Sequence, residues 1–179
     1  MGTRAPFRPR KLLEPILILV GTIGFCGCSV IAVMSEDLLW FLGGASVPDP
    51  ERIVIRVDGK ETVLTADSPG YALMVEAIRE ALSAFSNLAP RSMGLNEATL
   101  VEYQHRGTIL ELYFDEPVDF HLPFNDHRPT ALLIPIEGRH AGHSYVFRGT
   151  HGEWWAGQMV MSDPQPLFDA LSALGYIQH

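Results

Sequence analysis

Residues Ile16 to Met34, ILILVGTIGFCGCSVIAVM, run nineteen positions without a charge. A helix of that length rises about 28 Å, close to the roughly 30 Å hydrocarbon core of a bilayer. The run therefore predicts a transmembrane helix. A buried core helix is the other reading of an apolar run, and the position near the N-terminus behind a basic flank argues against it. Leu38-Leu39-Trp40-Phe41-Leu42 follows the acidic Ser35-Glu36-Asp37. That stretch extends the helix or lies in the interface, where Trp40 suits the headgroup level. Gly43 to Pro50, GGASVPDP, reads as a linker with a reach of at most about 28 Å. A domain behind it stays near the membrane surface.

Beyond Pro50 the pattern shortens. Arg52 to Val57 alternates, with Ile53, Ile55 and Val57 on one face, and Asp58-Gly59 signals a two-residue hairpin returning through Glu61 to Thr65. Asp67-Ser68-Pro69 predicts a capped helix start. Tyr71, Val75, Ile78, Leu82 and Phe85 then form one apolar stripe, opposed by Glu76, Arg79 and Glu80. After a loop from Asn87 to Asn96, strands are expected at Leu100–His105 and Thr108–Phe114 around Arg106-Gly107, and a short one at Val118–Leu122. Thr130 to Ile136, apolar on both faces, predicts a central strand ending near Pro135. His143–Arg148 and Glu153–Met161 pair across Gly149 to Gly152. Ser162-Asp163-Pro164 opens a last helix carrying Leu167, Phe168, Leu171 and Leu174 and stopping at Gly175. The expected fold class is α+β: a transmembrane helix, then a small antiparallel sheet with two helices on one face. The parts are a cytoplasmic basic tail (1–15), an anchor (16–42), a linker (43–50) and an extracytoplasmic domain (51–179).

Charge sets the orientation. Arg4, Arg8, Arg10 and Lys11 against Glu14 give residues 1–15 a net +3, and the whole chain carries −8, leaving −11 for the remainder. Lys and Arg stay on the cytoplasmic side, so the N-terminus is expected inside and the C-terminal domain outside, a single-pass signal-anchor arrangement in the cell membrane. Phe25-Cys26-Gly27-Cys28 offers an alternative, a lipoprotein cleaved and lipidated at Cys28. Against it, Phe25 and Cys26 match such a signal poorly, and the apolar run continues to Met34. Gly21, Gly24 and Gly27 only partly satisfy the spacing that lets membrane helices approach one another.

Five of the seven histidines fall between His121 and His151: His121, His127, His140, His143 and His151. Three imidazoles with Asp119 or Asp126 have the ligand types for zinc and would make a metal-dependent hydrolase. No recognised zinc spacing is present, and the turns holding His140/His143 and His151 should lie at opposite ends of their hairpin. Exposed turn histidines are the ordinary reading. No GxSxG elbow or phosphate-binding glycine loop occurs, and both cysteines lie in the apolar run, which leaves no thiol for the outer domain. Asp115-Glu116 and Glu76/Glu80 read as solubilising carboxylates. The acidic balance disfavours nucleic acid as a partner.

Trp154 and Trp155 point to opposite faces of a strand, so one should enter the core while the other covers a helix or meets a partner. Asn125-Asp126-His127-Arg128, between Pro123 and Pro129, is a polar loop that could meet a ligand. The sequence leaves the catalytic, cofactor-binding and metal residues unassigned. The expectation is a membrane-anchored, non-catalytic domain that binds a ligand or a protein partner at the membrane surface.

Overall fold

The computed structural model describes residues 10–35, 47–86, 95–121, 127–150 and 152–178. The apolar run lies within helix α1 (Arg10–Ser35), which starts six residues before Ile16 and takes in Pro15. Its stretch Leu13–Ser35 is 23 residues long, with a mean hydropathy of 2.5, and its apolar side chains are largely exposed, with Ile31 and Ala32 half-buried and Ser35 buried at its end. It is long and apolar enough to cross a membrane. Leu38 to Leu42, with Trp40, falls outside the described residues.

The rest of the described chain is α+β. Strands β1 (Arg52–Val57), β2 (Lys60–Leu64), β3 (Thr108–Tyr113), β4 (Ala131–Glu137), β5 (Tyr145–Thr150) and β6 (Glu153–Val160) form one antiparallel sheet in the order β2-β1-β3-β4-β5-β6. Helices α2 (Tyr71–Ala81), α3 (Glu97–His105) and α4 (Gln165–Ala173) complete it. The Asp58-Gly59 hairpin forms as its residues require, both in the left-handed region at φ 46° and 82°.

Register divides the core. Ile53 stands opposite Leu112, Ile55 opposite Leu110, and Leu110 opposite Ile134, so these side chains share one face. Met74, Val75, Ile78 and Leu82 of the α2 segment and Leu167 and Leu171 of α4 pack on that face. The alternate residues Ile109, Leu133, Tyr145 and Phe147 form a second cluster with Tyr103 of α3. β4 is buried from Ala131 through Ile136 because helices lie on both sides of it.

This corrects the expectation of helices on one face only, and the strand expected at Leu100–His105 is part of α3. Leu-Val-Glu-Tyr-Gln-His alternates well enough to resemble a strand. The decisive feature is Asn96, whose Oδ1 accepts hydrogen bonds from Thr99 N at 2.8 Å and Thr99 Oγ1 at 2.9 Å, an N-cap. Only Thr99 and Tyr103, one helical turn apart, are buried. The Asp67-Ser68-Pro69 cap also differs. Ser68 instead closes a turn, its Oγ accepting from Thr65 N at 3.0 Å, and α2 is entered through Gly70 with no side-chain cap. No named strand forms from Val118 to His121, where Val118 N donates to Pro129 O at 2.9 Å, and Leu122 lies outside the described residues.

Residues 47–50, expected in the linker, are docked on the domain. Val47 packs against the larger core cluster, the Tyr71 hydroxyl donates to Pro50 O, and Arg79 Nη2 lies 2.8 Å from Asp49 Oδ1. Neither tryptophan is fully buried. Trp154 leans on the α3-side cluster over Gly149, where an added Cβ would meet its ring at 2.8 Å, and Trp155 meets the His127 ring edge-on at 5.9 Å. The β5–β6 ladder shifts register beside Gly149, which leaves Trp155, Ala156 and Gly157 opposite Arg148.

Candidate functional site

Among the described residues, the connection from β4 to β5, residues 138–144, gathers the most left-handed backbone. Gly138 (φ 93°), His140 (64°), Gly142 (75°) and Ser144 (55°) are all left-handed. For His140 and Ser144 that conformation carries a steric cost, and such residues cluster where a fold holds a functional loop in place. The loop forms one wall of two different environments.

On the α3 side, the Tyr103 hydroxyl lies 2.7 Å from His140 Nδ1 and 2.9 Å from Arg139 O. The phenol has one proton and lies within hydrogen-bond distance of two neighbours. Both contacts are satisfied when Nδ1–H donates to the phenol oxygen and the phenol donates to the Arg139 carbonyl. Arg139 Nε in turn lies 2.7 Å from Glu102 Oε2, and His143 stacks on Tyr145 at 5.0 Å. Burial, then the Glu102 charge, pushes the Tyr103 phenol well above its ordinary range. Burial, then the Arg139 and His143 charges, pushes His140 down. Both groups are held in their neutral forms near pH 7, which suits a fastening between α3 and the loop better than proton transfer.

On the opposite side, Gly142 and Ser144 form the rim of an apolar cavity of about 120 Å³. Its walls are Ile134 and Ile136 of β4, Met161 just past β6, and Pro164, Leu167 and Phe168 at the start of α4. Met161 N donates to Ser144 O at 2.9 Å and ties the rim to the end of β6.

The five histidines do not share one place. His140 and His143 follow the end of β4, whereas His127 precedes its start, roughly 20 Å away along the strand. His121 pairs with Asp119, Nδ1 to Oδ1, at 3.4 Å. His151, Asn125 and Asp126 lie outside the described residues. Among the described residues no three His, Cys, Asp or Glu side chains are grouped to hold a metal ion. Asp115 and Glu116 are exposed, and Glu76 pairs with Arg79 at 2.6 Å.

A polar network on the α3-side face of β1, β2 and β3 was not legible beforehand. Arg56 lies 3.0 Å from Glu61 and 3.7 Å from Glu111, Tyr113 donates to Glu111 at 2.9 Å, and Arg52 sits 4.2 Å above the Tyr113 ring. Burial and the Glu111 carboxylate push Tyr113 up to about 12. These groups link three strands, although the buried Arg56 Nε itself has no hydrogen-bond partner among the described residues. Tyr103 and Ser144 also escaped sequence reasoning, Tyr103 because it was placed on a strand. The available signal was Asn96-Glu97-Ala98-Thr99, a helix start.

Comparisons with protein-family models, with curated proteins and with solved structures found no match.

Proposed function

We propose that the chain is a single-pass membrane protein, N-terminus inside and C-terminal domain outside, whose domain binds a ligand or partner and is not itself catalytic. The observation that carries the anchoring is the Leu13–Ser35 stretch, which leaves its large apolar side chains from Leu13 to Phe25, and Val30, Val33 and Met34, more than half exposed. Its hydroxyls support the same reading. Thr22, Ser29 and Ser35 each donate to the carbonyl four residues earlier at 2.8 Å, so that no hydroxyl proton is left facing an apolar surround. The basic residues before the apolar run, Arg4, Arg8, Arg10 and Lys11, and the acidic balance after it support the orientation. A binding role is supported by the strained loop and its apolar cavity, and by the neutral Tyr103–His140 pair.

Thiol accessibility tests the topology. Cys26 and Cys28 both lie on α1 and should resist a membrane-impermeant maleimide in sealed cells. A Glu80→Cys chain, altered at an exposed position of α2, should label from outside without permeabilisation. Labelling of Glu80→Cys only after permeabilisation would overturn the orientation. Release of the chain by alkaline carbonate would overturn the anchor.

A further inference from the structure

We propose that the cavity between the β4–β5 loop and the start of α4 binds a small uncharged molecule through one compact hydrocarbon group, about the size of a benzene ring. The proposal rests on the reading of the outer domain as a binding domain and names the class of its ligand.

Size comes first. Protein interiors hold few voids larger than a water molecule. A dry cavity of about 150 Å³ lined by Leu, Ile and Phe accepts benzene or xenon. The cavity here is about 120 Å³, with Ile134, Ile136, Leu167 and Phe168 as walls and the adaptable thioether of Met161 beside them. Sites for whole drug-sized ligands begin near 300 Å³, so one group enters and the rest of the molecule stays outside, over the loop.

Charge comes next. No charged side chain lines the cavity. The first turn of α4 also offers an anion nothing. Gln165 N is taken by Asp163 Oδ1 at 2.9 Å, Pro166 has no N–H, and Leu167 N and Phe168 N both point to Pro164 O, at 3.1 and 3.4 Å. The positive end of the helix is closed by its own chain, and an ion entering the cavity would lose its water for no partner.

The mouth supplies direction. Gly142 is exposed, and no atom lies within 4 Å of the position a Cβ would occupy there. Ser144, half-buried, brings a hydroxyl-bearing side chain to the cavity lining, the group that the polar end of a ligand would meet. A phenol-like or short-chain alcohol fits both features.

The test uses the full chain in lipid nanodiscs with ¹³C-methyl methionine. Phenol should shift the Met161 methyl signal saturably, while Met74 in the core and Met34 on α1 stay still or move linearly as phenol enters the lipid. Benzenesulfonate, the same ring with a fixed charge, should leave Met161 unmoved. Ile136→Phe should fill the cavity and weaken phenol at least tenfold. Ser144→Ala should weaken phenol at least threefold and leave benzene unchanged. A Met161 shift that never saturates, one that follows Met34, or an equal response to benzenesulfonate overturns the proposal, as does unchanged affinity in a folded Ile136→Phe chain. Should Ile136→Phe fail to fold, the contrast between phenol and benzenesulfonate on the unsubstituted chain still decides. Failure of the anchor appears separately, as protein that does not enter the nanodisc.

Discussion

The hydroxyl of Tyr103, on the inner face of α3, lies 2.7 Å from Nδ1 of His140 and fastens that helix to the β4–β5 loop. Tyr103→Phe keeps the ring in its cluster but leaves His140 Nδ1 and the Arg139 carbonyl short of a partner. The expected loss is about 1 kcal/mol of unfolding free energy, measured by thermal or denaturant unfolding in mild detergent. An unchanged stability would show that water replaces the phenol without cost.

The same pair makes stability depend on pH. His140 titrates below its ordinary value in the folded chain, chiefly through burial. As pH falls through about 6.5, the unfolded chain takes up a proton that the folded chain does not. Stability should therefore be highest above that pH, fall below it, and level off once the folded imidazole is also protonated. Asn tolerates the left-handed backbone and offers a donor without titrating. His140→Asn should flatten this part of the profile, and an unaltered slope between pH 7.5 and 5.5 would count against the assignment.

Two separate clusters predict additivity. Leu110, fully buried beneath α2 and α4, should cost about 2–5 kcal/mol on substitution by Ala. Tyr103 belongs to the other face of the sheet. Leu110→Ala combined with Tyr103→Phe should equal the sum of the single effects within about 0.5 kcal/mol. A larger coupling energy in the double-mutant cycle would mean that the faces communicate through β3.

Gly107 is irreplaceable on two grounds. Its φ is 77°, and an added Cβ would collide with the Glu137 carbonyl oxygen where β3 meets β4. Gly107→Ala should cost about 1–3 kcal/mol in backbone strain alone, with the collision added to that. Gly142→Ala shares only the strain and should be the milder change in the same unfolding measurement.

The docked residues 47–50 predict a local effect. The Arg79–Asp49 pair is more than half exposed on both sides, so Arg79→Ala should change global stability by no more than about 1 kcal/mol. Tyr71→Phe removes the hydrogen bond to Pro50. Together they should speed proteolytic cleavage at 47–50 several-fold while the melting temperature of the domain moves little. Equal protection in the double variant would assign the docking to Val47 alone.

Several segments of the chain take a structure that one local pattern decides. A nineteen-residue apolar run can satisfy its backbone in an apolar surround only as a helix. Asp58-Gly59 accepts the left-handed turn that a tight hairpin needs. The stripe Val75, Ile78 and Leu82 could bury only one side, and TALLIPI had to lie between two covered faces. These features were legible because their physics acts within a few residues.

The remainder belongs to packing. Leu100 to His105 carries a strand-like alternation, and Thr99 with Tyr103 makes a helical pair across the same stretch. The Asn96 cap and the apolar face of β3, β4 and β5 that α3 covers select the helix, and only the assembled sheet supplies that face. The histidines lie close in sequence, yet β4 carries His127 and His140 to opposite ends of its length. The cavity is drawn from β4, the β4–β5 loop, the residue after β6 and α4. The sequence by itself determined an exposed apolar helix and an α+β domain, since hydrophobic periodicity is local. Which polar groups meet, and where space is left between them, was decided only by tertiary structure, because such contacts depend on strand order and register.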